Sequence, residues 1–108
     1  MGNIRETIER EVTGWPGVEA RVHRFGGVEF RVNGHEIGHL HGDRMADLPF
    51  PVRMREVLVE SGKARVHHVL PRTGWVSYYL RDEGDVAGAL ELFRKNYERL
   101  TARKGVVA

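Results

Sequence analysis

The stretch Val28-Glu29-Phe30-Arg31-Val32-Asn33-Gly34-His35-Glu36-Ile37-Gly38-His39-Leu40-His41 decides how this chain folds. Val28, Phe30 and Val32 alternate with Glu29, Arg31 and Asn33, the two-residue period of a strand with one buried face. Asn33-Gly34 suits a two-residue hairpin, because both residue types accept a positive φ. A second strand therefore runs back over about His35 to His41. Upstream, Val18, Ala20 and Val22 alternate with Glu19, Arg21 and His23 and predict a strand over 18–24, turned by Gly26-Gly27. Strands joined by such short turns pair as an antiparallel meander.

Helices flank the meander. Ile4, Ile8 and Val12 recur every four residues, Trp15 continues the stripe, and Asn3 is a fair N-cap, which predicts a helix over 3–13. Residues 42–51 read as a connector. Pro51 then opens a helix whose apolar positions are Met54, Val57 and Leu58 and whose stop is Gly62. Residues 64–70 and 75–81 read as two more strands around a Pro71-Arg72-Thr73-Gly74 turn. The last helix runs from an N-cap at Asp85 to about Arg103, with Val86, Leu90, Phe93, Tyr97 and Leu100 as its buried stripe. The expected architecture is a single α+β domain over 1–108. Its order is α-β-β-β-α-β-β-α, with a five-stranded antiparallel sheet and about three helices on one face. The other sheet face is then wet, shaped into a groove, or covered by a partner such as a second copy.

Composition excludes several chemistries. At 108 residues, 41% hydrophobic and 30% charged, the chain has the balance of an ordinary globular domain. Cysteine is absent, which removes disulfides, iron–sulfur clusters and thiol nucleophiles and fits a cytoplasmic protein. No apolar run is long enough to cross a bilayer, and the N-terminus does not read as a signal peptide. The net charge of +2 is small and its signs are interleaved, so nucleic-acid binding is not expected. The basic residues Arg94, Lys95, Arg99, Arg103 and Lys104 read as the solvated end of a helix. There is no phosphate-binding glycine loop and no nucleophile elbow.

Histidine placement is the unusual feature. Five of the six histidines fall in two short segments, at 35, 39 and 41 and at 67 and 68. Strict alternation puts His35, Ile37, His39 and His41 on one face and Glu36 and Leu40 on the other. It also sends His67 and His68 to opposite faces, so that at most one of them joins the first group. A His-x-His pair can hold a divalent metal, with Asp43 and Asp47 close enough in sequence to add carboxylates. The same imidazoles could act without a metal as proton acceptors, or be no more than hydrogen-bonded sheet residues. Gly38 inside the strand marks either a bulge or a close approach. In the strand over 75–81, Val76, Tyr78 and Leu80 suit the core. Trp75, Ser77 and Tyr79 then face the open side, where Trp75 and Tyr79 would line a pocket for a flat ligand.

Five strings carry a family resemblance: Arg24-Phe25-Gly26-Gly27-Val28-Glu29-Phe30, Glu36-Ile37-Gly38-His39-Leu40-His41-Gly42, Asp47-Leu48-Pro49-Phe50-Pro51, and His67-His68-Val69-Leu70-Pro71 with Gly74-Trp75-Val76-Ser77. Over about Trp15 to Leu100 the chain resembles the luciferase-domain family, named for the fungal luciferases. Those enzymes oxidise a hydroxypyrone with molecular oxygen and no added organic cofactor, and they carry a membrane-anchoring segment that has no counterpart here. The resemblance implies a small-molecule ligand with an acidic hydroxyl. It also implies a site among Glu36, His39, His41, Asp47, His68 and Trp75, with a divalent metal possible through His39, His41 and His68.

Overall fold

The computed structural model describes residues 3–22 and 27–105, with side chains as far as Ala102. The Gly26 half of the expected turn, the Arg24-Phe25 end of the first string, and the side chains of Arg103 and Lys104 lie outside the described residues. In chain order the elements are α1 (Ile4–Thr13), β1 (Glu19–Val22), β2 (Val28–Val32), β3 (His35–His41) and β4 (Met45–Pro49). Then follow α2 (Val52–Glu60), β5 (Arg65–Val66), β6 (Trp75–Tyr79), a single 3-10 turn at Glu83–Asp85, and α3 (Val86–Gly105). The sheet is antiparallel with strand order β1-β2-β3-β4-β6-β5. The hairpin forms as expected, with Asn33 at φ 54° and Gly34 at φ 80°.

The sheet has six strands rather than five. The additional one is β4, inside the expected connector. Asp and Pro disfavour a strand in isolation. Tertiary pairing overrides that preference: Ala46 and Leu48 are fully buried, and β4 lies between β3 and β6 at the centre of the sheet. A tight turn makes this possible, with Gly42 at φ 58° and the Arg44 amide donating to the His41 carbonyl.

Other boundaries shift for local reasons. β1 is an edge strand with every residue exposed, and Val22 is 86% accessible, so it is not the half-buried strand that its alternation suggested. The strand expected over 64–70 ends at Val66, and residues 67–72 leave the sheet as a loop. The strand over 75–81 ends at Tyr79. Asp85 is the closing residue of a capping box with Asp82, not the N-cap of the long helix. In α2, Leu58 is buried and Met54 packs against the core, while Val57 points to solvent.

The core fills one face of the sheet. Ile8 and Val12 of α1 and Ala89, Leu92, Phe93 and Leu100 of α3 meet Phe30, Leu40, Leu48 and Val76. Phe30 and Phe93 meet edge to face at 5.5 Å. α2 packs against β5 and β6, and Lys63, just after it, reaches α3 with its Nζ 2.6 Å from Glu91 Oε2. The opposite face carries the histidines.

Candidate functional site

A β-bulge sets the phase of the site. Phe30 pairs with Gly38 and Arg31 pairs with Glu36, so Ile37 is an additional residue with no partner on β2. The bulge corrects the simple alternation. Ile37 turns into the core and is fully buried, while Glu36 joins His39 on the open face. His35, at the hairpin end, is exposed and takes no part. Gly38 is small because of close approach. A Cβ there would lie 2.8 Å from Leu48 Cγ and 2.9 Å from Phe93 Cε1.

Asn96 of α3 holds this geometry from behind. Fully buried, its Nδ2 donates to the Ile37 carbonyl at 2.8 Å and to the Pro49 carbonyl at 2.9 Å. Its Oδ1 accepts from Arg99 Nε at 2.8 Å. One side chain thus ties the bulge of β3 to the end of β4. Sequence reasoning passed over Asn96. The available signal was a lone amide inside the apolar stripe of α3.

Asp47 is the centre of the site. β4 alternation buries Ala46 and Leu48 on the core side and directs Asp47 to the other, where it is 1% exposed. Its cross-strand neighbours are His39 on β3 and Ser77 on β6. Ser77 Oγ donates to Oδ1 at 2.7 Å. Four imidazole nitrogens surround the other oxygen, Oδ2: His41 Nε2 at 2.8 Å, His68 Nε2 at 3.2 Å, His67 Nε2 at 3.3 Å and His39 Nε2 at 3.5 Å. Both His67 and His68 therefore belong to the site. The expectation that only one could join assumed a strand, and in the loop the two rings stack at 4.4 Å and reach the same oxygen. Trp75 closes one side, 5.5 Å from the His39 ring and 5.8 Å from the His67 ring.

The second nitrogen of two rings identifies their tautomers. His39 Nδ1 lies 2.6 Å from Glu36 Oε2, so it carries the proton and donates. His67 Nδ1 accepts from the Val69 and Leu70 amides at 3.1 and 2.9 Å, so the proton of the neutral ring sits on Nε2 and points at Asp47. Burial outweighs the pull of Asp47 and holds the His67 pKa below its ordinary value, with repulsion from His68 adding to it. At His39 burial opposes the charged ring, but hydrogen bonds to Asp47 and Glu36 win and raise its pKa to about 9. Asp47 is likewise opposed by burial. Its bonds from His39, Ser77 and His41 keep the carboxyl well below the usual carboxylate range.

Two expected residues lie elsewhere. Asp43 sits in the β3–β4 turn and accepts from the Arg5 amide at 2.7 Å, serving the N-terminus of α1. Tyr79 is on the correct face but 39% exposed, with the Arg65 guanidinium 6.0 Å from its ring. It borders a neighbouring groove instead of the cluster.

His39, His41 and Asp47 place one ligand atom each within 4.8 Å of one another, as do Asp47, His67 and His68. Among the described residues no helix is long and apolar enough to cross a membrane. No curated protein and no solved structure matches the chain significantly. The profile of the luciferase domain does match, over residues 34–96, and this span holds Glu36, all four clustered histidines, Asp47, Trp75, Ser77 and Asn96. With more than half of its length inside that match, the chain belongs to the luciferase domain family.

Proposed function

We propose that the site is a mononuclear divalent-metal centre at which a small molecule with an acidic hydroxyl is bound and oxidised by dioxygen. One observation carries the metal reading. A carboxylate oxygen offers two lone pairs, yet four imidazole nitrogens approach Asp47 Oδ2 within 3.5 Å. Two lone pairs cannot accept from all four rings at once, whereas a cation shared by His39, His41 and Asp47 would gather three of these groups by coordination. An ion with bonds of about 2.0–2.2 Å separates neighbouring ligand atoms by about 3.0–3.5 Å. The observed separations from Oδ2, 2.8 to 3.5 Å, fall close to that range.

The ligands are His39, His41 and Asp47, whose ligand atoms lie within 4.8 Å of one another, while His68 contacts Asp47 from beside them. Glu36 behind His39 supplies the carboxylate–histidine support typical of metal sites, leaving Nε2 free to coordinate. His67 is not a ligand, since its Nδ1 accepts two amides and its Nε2 proton is committed to Asp47. An all nitrogen and oxygen donor set with two histidines and a carboxylate suits a first-row divalent ion, including the iron of oxygen-using enzymes. Such an ion would supply positive charge that makes a nearby hydroxyl acidic.

The chain's own groups do the rest. His41 and His68 are about one-third exposed and form the open side, where a ligand enters. Trp75 offers a flat apolar wall. Buried Ser77 and His67 hold Asp47 in place. The family likeness supports oxidation as the reaction. Both oxygen atoms would enter the organic product, whose own electrons reduce dioxygen, so no external reductant is consumed.

Cobalt(II) titration followed by visible absorption tests the centre. About one equivalent should bind. His39→Ala should abolish the spectrum, and Glu36→Gln should weaken binding by about 10–100-fold with the fold intact. Failure of the wild-type protein to take up cobalt, zinc or iron refutes the metal reading. An oxygen electrode with the iron-loaded protein and hydroxypyrones or catechols tests the reaction, and binding without oxygen uptake would leave a ligand-binding module.

A further inference from the structure

An open groove of about 1070 Å³ adjoins the cluster and shares His67 and His68 with it. Its polar rim is Arg44, Arg65, Arg81 and Tyr79, and its lining includes no Asp or Glu. Among the described residues none of the three arginine side chains makes an ion pair. The nearby Asp85 carboxylate is turned to the Arg81 and Asp82 amides. Register places Arg65 on the side of the site. Arg65 pairs with Ser77, and Ser77 pairs with Asp47, so the three lie in one row across the sheet. At about 4.8 Å between strands, the Arg65 Cα is about 10 Å from that of Asp47. Beside the arginines, Val59, Val66 and Leu80 give the groove an apolar floor.

We propose that this groove receives a carboxylate on the ligand whose hydroxyl reaches Asp47 and its histidines. The substrate class is then a planar hydroxylated carboxylic acid. Guanidinium groups without acidic partners, on the rim of a cleft with an apolar floor, suit a carboxylate attached to a flat ring. Its ring spans the gap from Arg65 to the cluster. This inference rests on the proposed ligand site and adds the second recognition element that the histidines lack.

Calorimetry of the zinc-saturated protein with 3,4-dihydroxybenzoate and with catechol separates the two ideas, because the molecules differ only in the carboxylate. The acid should bind about tenfold or more tightly than catechol. Arg65→Gln and Arg44→Gln, both at exposed positions, should each lower its affinity severalfold and leave catechol unaffected. Equal affinity for both molecules overturns the groove inference and leaves the ligand site standing. Parallel losses for both molecules in the arginine variants overturn it as well. If neither molecule binds, the ligand site and the groove fall together.

Discussion

Replacing Asn96 by Leu tests whether α3 sets the geometry of the site from the far side of the sheet. The side chains are similar in size, so packing changes little. What is lost is specific. The Ile37 carbonyl, at the bulge, has no Cα partner in either neighbouring strand and loses its amide donor. The Pro49 carbonyl keeps only a 3.4 Å contact to Arg99 Nη2. Leaving one buried acceptor unmade costs about 1–3 kcal/mol, and the net loss of the remaining bonds adds about 1 kcal/mol. The expected destabilisation is about 2–4 kcal/mol, a large share of the roughly 5–15 kcal/mol that holds a domain of this size. Urea unfolding followed by circular dichroism reads it as a midpoint lowered by about 1–2 M, at an m of about 2 kcal/mol/M. Because the bulge directs Glu36 toward His39, cobalt affinity should fall in the folded variant too. A stability loss below about 1 kcal/mol, or undiminished cobalt binding in a destabilised variant, refutes the reasoning.

Two further outcomes follow from the same geometry. Gly38→Ala drives a methyl into Leu48, Phe93 and, at 2.9 Å, the Asp47 carbonyl, so it should destabilise by about 1–3 kcal/mol, and a melting temperature at or above wild type contradicts this. In the metal-free protein the His39 pKa of about 9 lies above its unfolded value near 6.5. The folded state holds that proton more tightly, so the stabilisation is full below about pH 6.5, declines across the interval and is gone above about pH 9. Denaturation at pH 7 and pH 9.5 should show a loss of about 1–3 kcal/mol, and an unchanged or higher stability at pH 9.5 rejects the assignment.

Most of the fold was readable because its signals are local. The period of two in 28–32, the Asn33-Gly34 turn and the stripes of α1 and α3 each depend on a few neighbouring residues, and each formed. Glu36, His39, His41, Asp47, His68 and Trp75 could be named as candidates from residue type and spacing, but which of them share a face could not.

Three-dimensional pairing decided the remainder. β4 has weak intrinsic preference and exists because β3 and β6 supply its hydrogen bonds. The bulge at Ile37 reverses which face Glu36 shares, and no local period announces it, since Asn96, 59 residues away, receives the freed carbonyl. His67 and His68 meet at one carboxylate only because the chain leaves the sheet before them. Residue types and periods are properties of a short window. The convergence of four rings on Asp47 is a property of register, which depends on contacts that no window contains.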